Sequence, residues 1–255
     1  MKTLLFFVYD AFGDWISTNG MIRYLSKQYD KVYLVHDTPV VIPFTSHMFR
    51  DNHKIIPIHG SALSEESYDV IDVRIHEINY CPANNGTYFN KLNKFEDNSF
   101  PITDNASAFY AELGLNPEIR ISHFFYERDY EKEEELFKSL NLPSEYSVIC
   151  EMNEGSINRE YIKHDKIVNL HNLTDNFTDT LKIIENAKDI HLIENSISLF
   201  VYHTQHIGKM NLVPIHLHAY ARKENHRRCD GPDCNNTYLN MLKYPQLQNW
   251  DFIWK

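Results

Sequence analysis

The sequence predicts an α/β chain built from two successive units with parallel sheets. Three observations predict it. Residues 3–9, TLLFFVY, are an almost unbroken apolar, β-branched and aromatic run, the pattern of a strand buried on both faces. The acidic turn DAFGD follows at 10–14, and Trp15, Ile16, Met21, Ile22 and Leu25 then recur at roughly helical spacing. Strand, turn and helix make the first half of a βαβ unit. The same alternation restarts after Pro143-Ser144, where YSVICE at 146–151 reads as another buried strand.

The elements follow in order. KVYLVH at 31–36 is a second buried strand, and residues 39–49 are an expected helix with Pro39 at its start and Pro43 disturbing it. HKIIPIH at 53–59 and YDVIDVRI at 68–75 are further strands around the polar loop 60–67. Residues 79–102 are Asn-rich and lack periodicity, the signature of a long loop. A helix is expected at 104–113, with Asp104 as cap, Phe109, Tyr110 and Leu113 as its apolar stripe, and Gly114 as its stop. The helix at 129–140 carries an acidic run at 131–135 that reads as a solvated face. Beyond Pro143, strands are expected at 146–151, 166–170, 189–193 and 212–217, with helices at 178–187 and 196–206. The domains are therefore expected to be 1–143 and 144–239. The apolar tail 240–255, with Leu242, Tyr244, Leu247, Trp250, Phe252 and Trp254, is expected to pack back on the first domain.

With 255 residues, 43% hydrophobic and 13% aromatic, the chain can bury full cores. A net charge of −10 argues against a general nucleic-acid binder, whose phosphate contacts need a basic face. No apolar run approaches a membrane span, and the N-terminus lacks a signal-peptide pattern, so a cytoplasmic protein is expected. Cys81, Cys150, Cys229 and Cys234 are then expected to be thiols. Cys229 and Cys234 lie close to His226, but without a matching second pair the expected metal set is none.

Several signatures are missing. There is no G-x-G-x-x-G, no Walker-type G-x-x-x-x-G-K, no G-x-S-x-G elbow and no Asp-x-Asp triplet. The candidates that remain fall into three groups. In open α/β sheets ligands bind at the carboxyl ends of strands, which is where Asp10, Gly13 and Asp14 stand. Asp14 is either a helix cap or a catalytic carboxylate, and position alone does not choose. The strand ending at Ile193 passes through Glu194-Asn195-Ser196 into a helix whose first N–H groups suit the phosphates of a nucleotide; a plain cap at Asn195 or Ser196 is the alternative. The turn at 153–159 adds Ser156, Asn158 and Arg159, and Arg159 could pair with a phosphate. Finally, His216 and His218 alternate on one strand and share a face, where they could line a cleft.

These residues carry a resemblance. The opening strand, the Gly13-Asp14 turn and the helix ending in Ile22-Arg23-Tyr24-Leu25 resemble the start of heptosyltransferase-like glycosyltransferases of the GT-B fold, family 9 in type. Residues 109–115, FYAELGL, are similar to a segment before the interdomain linker of such enzymes, and residues 184–191 with Glu194-Asn195-Ser196 to their donor-binding strand and helix. The chain is short for that fold. The donor turn also lacks the Asp-Thr-Gly these enzymes carry, so no preference for a heptose is transferred. The resemblance implies two Rossmann-like domains facing each other across a cleft, with the acceptor on the first and a nucleotide sugar on the second. It implies an inverting reaction that needs no metal or other cofactor. The nucleotide-sugar donor (UDP-, GDP-, ADP- or dTDP-linked) and a glycan acceptor are the expected partners. Asp14 is the expected general base, with Ser156, Arg159, Glu194, Asn195 and Ser196 on the donor. The rival expectations are a sugar-nucleotide epimerase-like enzyme and a non-catalytic nucleotide- or glycan-binding protein.

Overall fold

The computed structural model describes residues 2–63, 68–74, 88–89, 94–101, 105–151, 156–171, 173–193, 195–218 and 249–253. The chain divides into two units, Met1–Glu127 and Arg128–Lys255. Among the described residues each is organised by a sheet of five strands in which every pairing is parallel. Among the described residues no helix is long and apolar enough to cross a membrane.

In the first unit β1 (Thr3–Phe7) lies at the centre. It is flanked by β2 (Lys31–His36) and β4 (Asp69–Asp72), with β3 (Ile55–His59) and β5 (Tyr88–Phe89) at the edges, giving the order β3-β2-β1-β4-β5. A central strand covered on both faces must be apolar throughout, and all of Thr3–Phe7 is buried. The helix α1 (Phe12–Leu25) is buried from Trp15 to Arg23 and at Leu25, so its polar residues are satisfied internally. Ser17 donates to the Gly13 carbonyl at 2.8 Å, and Thr18 to that of Asp14 at 2.8 Å. Asn19 both donates to the Phe125 carbonyl (3.2 Å) and accepts from the Phe125 amide (3.1 Å). Gly20 permits a backbone approach: a Cβ there would stand 2.4 Å from the Ile119 carbonyl oxygen of the short helix α4 (Ile119–Ser122). Pro43 falls in the first turn of α2 (Ile42–Met48), where proline is tolerated, after a 3₁₀ turn at Pro39–Val41. The helix expected at 104–113 is α3 (Asn105–Ala111), closed by Gly114 at φ 75°.

In the second unit the order is β10-β9-β8-β6-β7, from β6 (Ser147–Cys150), β7 (Ile167–Asn169), β8 (Asp189–Leu192), β9 (Ile215–His218) and β10 (Trp250–Ile253). Helices α5 (Tyr130–Ser139), α6 (Leu181–Glu185) and α7 (Ser196–His206) complete it. Numbered within the unit, this is the flavodoxin-like order 2-1-3-4-5, while the first unit has the Rossmann-type order 3-2-1-4-5.

Three sequence expectations change here. The division between units falls at 127/128, not at 143/144, because α5 belongs to the second unit. Its anchor is Arg128, whose guanidinium pairs with Glu133 and also with Glu185 of α6 at 2.8 Å. The acidic run is accordingly not all solvated, since Glu133 has no exposed surface. The tail does not return to the first sheet where it is described. Trp250–Ile253 pairs in parallel with β9, and Trp250 donates its indole N–H to Gln205 at 2.8 Å.

Candidate functional site

In a sheet ordered 3-2-1-4-5 the strand order reverses between β1 and β4, and ligands bind outside the carboxyl ends of the strands there. The chain leaving β1 reaches Ala11, the N-cap of α1, which is extended (φ −109°, ψ 134°) and contributes no side-chain cap. Asp14 is thus in the first helical turn without being the cap, which removes the capping alternative. Its carboxyl group has no hydrogen-bond partner among the described residues. Burial without a compensating donor pushes its pKa from 3.8 up to about 6. A Cβ at Gly13 would meet nothing within 4 Å, so the turn is open beside the carboxylate.

Asp10 is committed to structure. One oxygen lies 2.9 Å from Nδ1 of His36, and the other accepts the Thr38 amide at 2.7 Å. Burial pushes this carboxyl upward, but the His36 and Thr38 hydrogen bonds outweigh it and hold the pKa below 3.8. An ionised carboxylate can only accept, so His36 donates from Nδ1. Its Nε2 lies 2.9 Å from Thr45 Oγ1. Carboxylate, imidazole and hydroxyl in a row have the outline of a nucleophile relay. Thr45 is fully buried, however, and its hydroxyl also lies 3.2 Å from each of the Val41 and Ile42 carbonyls, so the chain is a strut joining the ends of β1 and β2 to α2.

The sequence reading passed over Arg74. Just past β4, it forms two bonds to Asp72 (2.8 and 2.6 Å), lies 3.6 Å from Asp37 and stacks over the Phe7 ring at 4.8 Å. The signal was present in VIDVRI, where Asp72 and Arg74 are two residues apart on one strand face.

In the second unit the order reverses between β6 and β8. Asn195 is the N-cap of α7: its side chain accepts the Ser198 amide (3.0 Å), its own amide donates to Ser198 Oγ (3.0 Å), and its Nδ2 donates to Cys150 Sγ (3.3 Å). The cap therefore also ties together the ends of β6 and β8. Burial pushes the Cys150 thiol up to about 11, so it stays protonated and inert. Ser196, the first helical residue, is half-buried and its hydroxyl has no partner among the described residues. Ser156 is exposed in the loop after β6. Arg159 is not the free cation expected, since it pairs with Glu151 at 2.7 Å, and Glu151 also accepts the Ile157 amide at 2.7 Å. Glu194 lies outside the described residues, as do Cys81, Cys229 and Cys234.

His216 and His218 do share a face of β9, but they do not line an open cleft together, because His218 is 1% exposed. Both meet His191 of β8: His191 Nδ1 lies 2.9 Å from His218 Nε2, and the His191 ring stacks on that of His216 at 4.7 Å. Asp189, two residues before His191, is on the same face, with its Oδ1 3.7 Å from His191 Nε2. Burial, and then the charge of neighbouring His216, push His191 down to about 4; burial and then His191 push His218 down to about 3. The sequence reading missed Asp189 and His191, whose signal was a D-x-H on the strand adjacent to H-x-H.

No family model matches the chain, and no curated protein matches it in sequence. Solved structures do match its fold. One is a glycosyl transferase of family 9 from Veillonella parvula DSM 2008, with TM-score 0.53 and 11% identity over 99% of this chain and 86% of the other. Another is the ADP-heptose lps heptosyltransferase II of E. coli, with TM-score 0.53 and 11% identity over 99% of this chain and 90% of the other. At that identity the likeness establishes a shared α/β fold of two parallel-sheet units, and it covers nearly the whole chain.

Proposed function

We propose that the chain is a glycosyltransferase that moves a sugar from a nucleotide sugar to an acceptor hydroxyl with inversion. The observation that carries this reading is Asp14, a half-buried carboxylate with no partner among the described residues, just past the carboxyl end of the central strand, with a pKa pushed up to about 6. A base poised close to neutral pH, with no hydrogen bond to hold it, is what abstraction of a hydroxyl proton needs. The fold shared with family 9 and heptosyltransferase structures supports the reaction class.

In the proposed step the acceptor O–H gives its proton to Asp14 as its oxygen bonds to the anomeric carbon. The bond from that carbon to the phosphate oxygen breaks, and its electron pair leaves with the nucleoside diphosphate. On the second unit, taken by itself, the first amides of α7 and the Ser196 hydroxyl suit the phosphates of the donor. Asn195 shapes this end as the cap, and Arg159 contributes only by leaving Glu151, so it is the weaker donor contact. The strand-end turns of the first sheet carry Asp10, Asp14, Asp37 and Asp72, of which Asp37 and Asp72 pair with Arg74, and this acidic balance favours a neutral acceptor over an anionic one.

The test is release of nucleoside diphosphate from a panel of UDP-, GDP-, ADP- and dTDP-sugars, with and without a mixture of neutral glycans. Acceptor-stimulated release that Asp14→Asn abolishes is expected. Isomerised sugar without any acceptor would instead indicate an epimerase-like enzyme. Binding with no turnover across the panel would indicate a binding protein.

A further inference from the structure

We infer that Asp189, His191 and His216 form a binding site for a divalent transition-metal ion of the zinc class, with three protein ligands and one position left to solvent. One ligand atom from each residue lies within 4.8 Å of the others. The set spans two paired strands, because Asp189 and His191 alternate on β8 and His216 is the register partner of His191 on β9.

Two buried atoms point to the ion. Among the described residues Asp189 Oδ1 and His191 Nε2 have no hydrogen-bond partner, although Asp189 is 7% exposed and His191 is 1% exposed. They face each other at 3.7 Å, too far for a hydrogen bond. Two ligand atoms about 2.1 Å from a tetrahedral zinc ion stand about 3.4 Å apart, so a small shift of either side chain admits one. The remaining histidine contact fits the same reading. His191 Nδ1 lies 2.9 Å from His218 Nε2, and a donated Nδ1–H fixes the tautomer that leaves Nε2 free to bind metal.

The surroundings carry charges of both signs, since the Arg159 and Lys163 cations also act on His191. Asp251 Oδ2 lies 3.7 Å from His216 Nδ1, and His164 Nε2 lies 3.9 Å from Asp189 Oδ2 at the partly exposed rim. Tyr161 sets its ring edge-on to His218 at 5.6 Å. Asp189 opens β8, His191 is its third residue and His216 is the second residue of β9, so the set spans most of the length of these two short strands. The ion would brace the second sheet by joining β8 to β9.

The full-length chain, with any affinity tag removed and metal stripped by chelator, is titrated with Zn²⁺ against a chromophoric competitor and with Co²⁺ by visible absorption. Wild type should bind a single ion and melt at a higher temperature when loaded. His216→Gln and Asp189→Asn should each lose more than about 100-fold in affinity, beyond the 10–100-fold expected for His218→Gln, which acts only through His191. Circular dichroism checks that each variant is folded, and partly exposed His216 is the substitution least disturbing to the core. Cys229→Ser/Cys234→Ser should bind as wild type does. Wild type that binds no ion, or affinity unchanged in both His216→Gln and Asp189→Asn, overturns the proposal. So does a thiolate-to-cobalt band that disappears in the cysteine variant.

Discussion

Asp14→Asn should make the protein more stable while removing its proposed chemistry. The carboxyl is raised from 3.8 to about 6 by burial, so its ionised form is disfavoured in the folded state. At about 1.4 kcal/mol per unit, that shift is worth about 3 kcal/mol. Partial exposure and about 0.3–1 kcal/mol of attraction to the positive end of α1 reduce the expected gain to about 1–2 kcal/mol. The sign follows from linkage. A carboxyl whose folded value is raised holds its proton more tightly when folded. That contribution is complete below about 3.8 and lost as pH rises through about 6. Urea titrations of wild type and Asp14→Asn should therefore coincide near pH 4 and separate by pH 8, with the variant more stable and melting a few degrees higher. In the transfer assay the variant should lose about 10²–10⁴-fold in rate, and wild-type kcat/KM should rise with pH through an inflection near 6. A variant no more stable than wild type at pH 8, or a stability gap independent of pH, would refute the account of Asp14 as a buried, unsatisfied carboxylate.

Asp10→Asn should do the opposite, costing about 1.5–3 kcal/mol because it weakens the bonds to His36 and Thr38. The stability Asp10 supplies is present above its ordinary value of 3.8 and lost as pH falls through its lower folded value, which acid denaturation of wild type and variant would register. Gly20→Ala places a Cβ 2.4 Å from the Ile119 carbonyl oxygen and 2.8 Å from that of Arg120, both backbone atoms that cannot rotate away. A loss of about 1–3 kcal/mol is expected, measured as a lower denaturation midpoint. Glu133→Leu takes a fully buried partner from Arg128, which keeps Glu185, and should cost about 3 kcal/mol; Arg128→Met, which strips Glu185 as well, and the double change Arg128→Met/Glu133→Leu complete the set. A thermodynamic cycle over these variants fails to support the pairing if the single and double changes simply add.

The sequence by itself determined the α/β class and most of its strands. A parallel sheet covered on both faces demands continuous apolar strands, and TLLFFVY, KVYLVH and YSVICE satisfy that locally. It also put Asp10, Asp14 and Asn195-Ser196 at the ends of strands, because strand-to-helix turns are written in adjacent residues. Tertiary structure decided which of these are committed to structural contacts. Asp10 and Asp14 are four residues apart in one turn, yet one is held by His36 and Thr38 and the other by nothing described. His36 is 26 residues from Asp10, and no local pattern encodes that meeting. The same holds for Arg128 with Glu185, 57 residues on, whose contact moves α5 into the second unit although Pro143 looks like the boundary. It holds again for Asp189, His191 and His216, which strand pairing alone brings together. Periodicity records which face of a strand a residue occupies; which distant residue shares that face is fixed by strand order and register.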